Sequence, residues 1–331
     1  MPRNISIVIP CHNEEAGIPS LMESLDRVLA SLSDFRFQII LIDDGSQDQT
    51  IEMIGRASFR QGKVELVQLT RNFGKEVAMT AGLDHANGDA VIFMDADLQH
   101  PPEVIPCFLE EWTRGAKMVV GRRKTRTTDT RSYRFLAGCF YALHNLMSDV
   151  KLPTNVGDFR LLDREVAENL KQLRERQRFM KGLFAWVGYE PAYVDYDVAP
   201  RVGGKSKYNK WRSWNFAIES ITSFSTIPLR IWTYLGVLML VLGLIYAALI
   251  ITKGFLYGVD VPGYITSLTT LILFGGVQLI GIGVLGEYVG RIYVEVKQRP
   301  LYLERKGLGI EAVPSQTRED VESGESTKIA D

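Results

Sequence analysis

Two stretches of this 331-residue chain carry no charged side chain at all: Ile231 to Thr252, 22 residues, and Tyr264 to Gly286, 23 residues. A helix rises ~1.5 Å per residue, so either stretch can cross a hydrocarbon core of ~30 Å. Core helices of soluble domains keep a polar face, and these stretches have none. They predict a hairpin of two transmembrane helices. The joining segment, Lys253 to Gly263, holds one Lys and one Asp, against six basic residues from Arg201 to Arg230 and five from Glu287 to Lys306. By the positive-inside rule both termini then lie on the cytoplasmic side of the inner (plasma) membrane. The six-residue apolar run after Met1 to Asn4 is too short for the h-region of a signal peptide, so the amino-terminal part is expected in the cytosol.

The spans divide the chain. Residues 1–206 read as a soluble domain, 207–229 as an amphipathic stretch, 230–286 as the hairpin, 287–306 as a cytoplasmic juxtamembrane segment and 307–331 as an acid-leaning, aromatic-free, disordered tail. In the amphipathic stretch Trp211, Trp214, Ile218, Ile221 and Phe224 recur at three- and four-residue steps, with Lys207, Lys210 and Arg212 close by. The pattern suits a helix in the lipid headgroup layer, and equally one packed on the soluble domain. With 38 basic and 39 acidic residues the net charge is -1, which excludes a nucleic-acid binder working through a globally basic surface. Cys11, Cys107 and Cys139 are odd in number and widely spaced, so they predict reduced thiols rather than a disulfide framework or a zinc site.

In the soluble part, short Val- and Ile-rich runs alternate with helix-length patterns. Ile5–Pro10, Phe37–Asp43, Val64–Thr70, Ala90–Asp95 and Lys117–Gly121 read as strands; Glu15–Ser31, Gln47–Arg60, Lys75–Asn87 and Pro101–Arg114 read as helices. Such alternation predicts an α/β fold with a mostly parallel, Rossmann-like sheet, and such sheets bind ligands beyond the carboxyl ends of their strands. Polar residues gather at those ends: His12-Asn13-Glu14, Asp43-Asp44-Gly45-Ser46, Arg71-Asn72, Asp95-Ala96-Asp97 and Arg122-Arg123.

Asp95 and Asp97, two residues apart where a strand leaves the sheet, can aim both carboxylates to one side. Two hard oxygen donors suit Mg²⁺ or Mn²⁺, whose other positions are filled by water and phosphate oxygens. A lone D-x-D also describes a solvated turn, and its place among four other polar strand ends is what favours a ligand site. Asp43-Asp44-Gly45-Ser46 fits a tight turn with a helix cap as well as a binding loop. Gly74 and Lys75 stand at a helix start, where free N–H groups favour anions, and Arg122 with Arg123 could clamp a diphosphate. Gly203-Gly204-Lys205-Ser206-Lys207-Tyr208 is a cationic turn suited to a phosphate at the membrane surface or to anionic lipid. A P-loop motif is absent from the sequence, and no G-x-G-x-x-G follows a predicted strand.

The run Val8-Ile9-Pro10-Cys11-His12-Asn13-Glu14-Glu15, then Asp43-Asp44-Gly45-Ser46 with Asp48 and Thr50, Arg71-Asn72-Phe73-Gly74-Lys75, Asp95-Ala96-Asp97-Leu98-Gln99, Gly157-Asp158-Phe159-Arg160 and Gly204-Lys205-Ser206-Lys207-Tyr208 together resemble the GT-A-fold family 2 glycosyltransferases that load a sugar onto polyprenyl phosphate, such as bactoprenol glucosyltransferases and dolichyl-phosphate mannose synthase. The resemblance covers residues 4 to 306, with Cys11-His12 standing where the family usually has tyrosine. It implies that Pro10, Glu14, Asp43 and Asp44 hold the nucleoside and that Lys75, Asp95 and Arg122 belong to the nucleotide-sugar site. It implies that Asp97, with Asp95 and Gln99, binds the divalent metal, and that Asp158 is a catalytic group on the acceptor side. Arg160, Arg201, Lys205 and Lys207 would receive the lipid phosphate. The expected reaction is a metal-dependent, inverting transfer from a UDP-sugar to polyprenyl phosphate, undecaprenyl phosphate in bacteria. Glucose is the first-choice sugar, ahead of N-acetylglucosamine, an aminoarabinose derivative or GDP-linked mannose. A homo-oligomer, a tetramer by likeness, is also implied. Within the spans only Gln278 and a few hydroxyls are polar, so a separate flippase and a downstream glycosyltransferase are expected to handle the product.

Overall fold

Val- and Ile-rich runs buried on both faces build the sheet that the alternation predicts. In the computed structural model, which describes residues 2–57, 59–124, 145, 151, 156–197, 225–257 and 263–305, these runs are β1 (Arg3–Cys11), β2 (Phe35–Asp43), β3 (Gly62–Gln68), β4 (Ala90–Phe93) and β5 (Met118–Arg123). The helices between them are α1 (Ile18–Leu29), α2 (Thr50–Arg56), α3 (Lys75–His85) and α4 (Ile105–Thr113), the last entered through a 3₁₀ turn at Pro102–Val104. Helix α2 is shorter at both ends than the pattern suggests. Its start is set by Asp48, whose Oδ1 accepts the Thr50 N–H at 3.1 Å and so ends the preceding loop.

Alternate residues of β1 pack in opposite directions. Ile5, Ile7 and Ile9 join Leu21 and Leu25 of α1 and Phe108 of α4 in one buried cluster, each side chain contributing roughly 1.5–3 kcal/mol by leaving water. On the other face α3 approaches so closely that a Cβ at Gly82 would lie 2.2 Å from Val8 Cγ1. Only glycine admits that approach.

Two strands and two helices add to the pattern read from the sequence. They are β6 (Val156–Asp163), α5 (Arg164–Gln172), α6 (Met180–Trp186) and β7 (Pro191–Tyr196). The seven strands run in the order β3-β2-β1-β4-β6-β5-β7, all parallel except β6, which is antiparallel to both β4 and β5. Because β6 runs the other way, its beginning lies at the edge where the parallel strands end. Asp158 arrives at the polar edge for that reason.

A second compact unit holds two long helices, α7 (Ile227–Tyr257, 31 residues) and α8 (Tyr264–Val296, 33 residues). Both are long and apolar enough to cross a membrane, and they contain the expected spans 231–252 and 264–286. Large apolar side chains such as Tyr234, Leu249, Leu271 and Ile280 are exposed on them, which in water would be costly and in lipid is not. Trp232 lies against Gly281, where an added Cβ would stand 3.2 Å from the indole. The amphipathic stretch from 207 to 224 and the tail from 307 lie outside the described residues. Residues 301–305, set apart in the sequence as juxtamembrane, belong to the sheet unit.

Candidate active site

The loops after β1 and β2 interlock through their own short polar side chains. Asn13, at φ 56°, takes the Ser46 hydroxyl on its N–H at 3.0 Å and accepts the Gln47 N–H on Oδ1 at 2.8 Å. The Glu14 N–H donates to Thr50 Oγ1 at 2.8 Å, and that hydroxyl donates to Asp48 Oδ1 at 2.6 Å. Pro10, one residue before the end of β1, is half-buried, as is Glu14. Ser46, Asp48 and Thr50 thus hold the loops, as the turn reading requires.

Asp43 and Asp44 are both buried. Asp43 Oδ1 accepts the Ser46 N–H at 3.1 Å. Asp44 spends both oxygens on one loop, accepting Phe73 N–H at 2.7 Å and Gly74 N–H at 2.9 Å. Burial raises its pKa, opposed by those two N–H bonds. His12 Nδ1 donates to Asp44 O at 2.9 Å, which leaves Nε2 to accept from the Asn72 amide at 3.0 Å. The histidine that departs from the family pattern therefore ties the first loop to the third. Gly45 sits at φ 69°, and a Cβ there would meet Arg71 C and Asn72 N at 2.6 Å. These contacts together place the residue that follows, Lys75.

Lys75 Nζ stands 2.6 Å from Asp95 Oδ1 and 2.8 Å from Asp158 Oδ2. One ammonium joins the end of β4 to the beginning of β6. Burial alone would lower its pKa, but the two carboxylates outweigh burial and hold Lys75 well above the ordinary lysine value. Asp158 is held well below the usual carboxylate range, because Lys75, Lys181 and Arg160 outweigh its burial. Its other oxygen, Oδ1, is buried without a protein partner. Asp95 is likewise lowered, against burial, chiefly by Lys75.

Asp97 is 8% exposed and accepts the Gln99 N–H on Oδ1 at 3.1 Å, across a turn in which Leu98 adopts φ 58°. His100 closes this turn: Nδ1 accepts the Asp95 N–H at 3.1 Å and the ring stacks on Phe159, centroids 4.9 Å apart. Among the described residues no three His, Cys, Asp or Glu side chains gather as a metal centre. The pair Asp95 and Asp97 still fits a hard divalent cation, which takes one or two carboxylates and completes its shell with water and phosphate oxygens.

Three expected residues are placed differently from the reading of the sequence. Arg122 turns away from the carboxylates to a bidentate pair with Asp195, 2.6 and 3.0 Å, over the Tyr193 ring. Its neighbour Arg123 is the arginine that feels Asp95 and Asp97; burial works against its charge, and Tyr196 with these two carboxylates more than restores it. A register shift between Val120 and Arg122 changes the alternation at that point. Arg160 is 4% exposed, with its guanidinium 3.7 Å from the Phe184 ring centroid and donating to Gly157 O at 2.7 Å. Burial lowers its pKa to about 10. Its charge helps to lower the pKa of Asp158. Lys75, expected at a nucleotide, is paired with two carboxylates. Arg201, Lys205 and Lys207 lie outside the described residues.

Glu76 was not singled out in the sequence. It is half-buried next to Lys75, accepts the Met180 N–H at 2.9 Å and so fixes the start of α6, which carries Lys181. Burial and the neighbouring Asp158 raise its pKa to about 7. Nothing in the local pattern distinguishes it from a solvated first-turn glutamate.

Residues 6–171 match the family model described as glycosyl transferase family 2, and residues 227–292 match the GtrB C-terminal hairpin. The bactoprenol glucosyl transferase of Shigella phage SfII is 50% identical over 302 residues, covering 91% of this chain and 97% of that protein. A prophage bactoprenol glucosyl transferase homolog of Escherichia coli (strain K12) is 47% identical over 302 residues, 91% and 98% of the two chains. An uncharacterized glycosyltransferase of Synechocystis is 47% identical over 314 residues, 95% and 98% of the two chains.

Proposed function

The chain belongs to glycosyltransferase family 2, and from that premise we propose that it transfers glucose from UDP-glucose to polyprenyl phosphate, with inversion, at the cytoplasmic face of a bacterial membrane. The relatives named for bactoprenol glucosyl transfer support the acceptor and the sugar. The observation that carries the chemistry is the single ammonium of Lys75 joining Asp95 to Asp158. It brings the carboxylates on the donor side within one side chain's reach of the carboxylate on the acceptor side.

A phosphate monoester loses its second proton near pH ~6, so the attacking oxygen is already largely ionised at neutral pH. A strong base is not required. Asp158 agrees with this: a carboxylate held well below its ordinary pKa is a poor proton acceptor. Held by Lys75 through Oδ2, its role is to orient. Lys75 and Arg123 remain cationic at any working pH and bring positive charge to the place where the diphosphate leaves. A divalent cation held by Asp95 and Asp97, with Gln99 beside them, would supply Lewis-acid neutralisation of the same leaving charge.

The test is thin-layer analysis of lipid extracted after incubating the purified full chain, Mn²⁺ and undecaprenyl phosphate with UDP-glucose, UDP-N-acetylglucosamine or GDP-mannose. Only UDP-glucose is expected to yield the lipid-linked sugar. A product formed from another donor alone would replace the sugar assignment and keep the reaction class.

A further inference from the structure

The last turn of α8 ends at Val296, and residues 301–305 follow along the end of β3. Arg305 donates its N–H to Gln68 O at 2.9 Å, Thr70 donates its own to Leu303 O at 2.9 Å, and Glu304 faces Leu69 in an antiparallel bridge. This short strap pairs with residues 68–70 at the end of β3, the edge strand of the sheet. Its side chains reach the far end of α3. The Tyr302 hydroxyl donates to Asp84 Oδ2 at 2.8 Å, where Arg174 also binds, at 2.8 and 2.9 Å. Glu304 Oε1 meets His85 Nε2 at 2.9 Å, while His85 Nδ1 meets Glu65 Oε1 at 3.0 Å. A neutral imidazole has one N–H, so donating to both carboxylates takes the imidazolium.

The strap therefore grips one chain segment at two places: the strand end at 68–70 and the helix end at 84–85. Between them lies the Asn72 to Gly74 loop held by Asp44, followed by Lys75. We infer that residues 301–305 are positioning residues for the transfer, fixing β3, its loop and α3 as one unit so that Lys75 Nζ stands between Asp95 and Asp158. A shift of one ångström at such an ammonium can cost about 10²-fold in rate, and the strap is the only contact from the carboxyl-terminal segment of the described residues that bears on both ends of this unit.

The inference uses the transfer reading above only for its activity readout. In the full chain, the double variant Tyr302→Phe, Glu304→Ala removes both side-chain grips, and Glu304→Gln alone keeps an acceptor oxygen for His85. Amide hydrogen exchange of the 69–75 peptide is expected to speed up about tenfold in the double variant, with β1 and β2 unchanged. The kcat per folded molecule should fall about tenfold at nearly constant donor KM, and Glu304→Gln should recover most of it. Unchanged kcat beside faster exchange, unchanged exchange beside lower kcat, or no change in either would each overturn the inference. A purely structural strap would lower only the melting temperature. If the unsubstituted chain transferred no sugar, the transfer reading would fail first, and the exchange measurement alone would decide whether the strap holds the loop.

Discussion

Lys75 shows how far a local pattern reaches. Beside Gly74 at a helix start it reads as a cation waiting for an anion, yet its ammonium pairs with Asp95 and with Asp158, 83 residues further on. No window of sequence contains that triad. The D-x-D was legible because a continuous apolar strand, buried at every position, ends just before it; Arg122 was implied only by the resemblance, and the register shift in β5 beside it is invisible in the sequence. Replacing Lys75 by methionine keeps its stem and removes its charge, leaving two half-buried carboxylates without the cation between them. The expected result is a fall in kcat of about 10²-fold with a smaller change in KM, read by steady-state kinetics on the full chain. Asp158→Asn, which keeps the shape of an orienting group, should retain clearly more activity than Lys75→Met. Equal losses would mean that Asp158 takes the proton after all.

At the scale of elements, β1 to β5 declared themselves as Val- and Ile-rich runs, whereas β6 and β7 did not. Val156 to Asp163 mixes Asp158 and Arg160 into an apolar run, because it passes through the site on its way into the core. The pairing of the strap with β3 was equally hidden, since Leu301 to Arg305 carries no strand pattern of its own. It has a signature in pH, though. His85 is raised to about 9 from 6.5, first by its bond to Glu65 and then, against burial, by Glu304. A basic group raised on folding contributes stability that is complete below pH 6.5 and is lost as the pH climbs through about 9. Thermal unfolding of the sheet unit, followed in the full chain, should lose about 1–3 kcal/mol across that window. His85→Gln should flatten this part of the curve, and a curve of unchanged slope would deny the clasp.

For the molecule as a whole, the apolar blocks and the strand–helix alternation were enough to separate two helices long and apolar enough to cross a membrane from a mostly parallel α/β sheet. Composition alone fixed neither. Twenty-two residues without charge can only be satisfied by lipid or by a very large core, and parallel strands can only converge their polar residues at one edge. What the pattern could not reveal was that the chain, having left the sheet for the hairpin, returns to the sheet at residues 301–305. The account rests on acidic side chains after β4 serving the departure of a nucleotide from glucose. Purified full chain in lipid nanodiscs, given UDP-linked radiolabelled glucose, undecaprenyl phosphate and Mn²⁺, should move the label into extractable lipid, and Asp97→Ala should lower that rate at least about 10²-fold. Label reaching the lipid equally well with Asp97→Ala, or not at all with the unsubstituted chain, would contradict it.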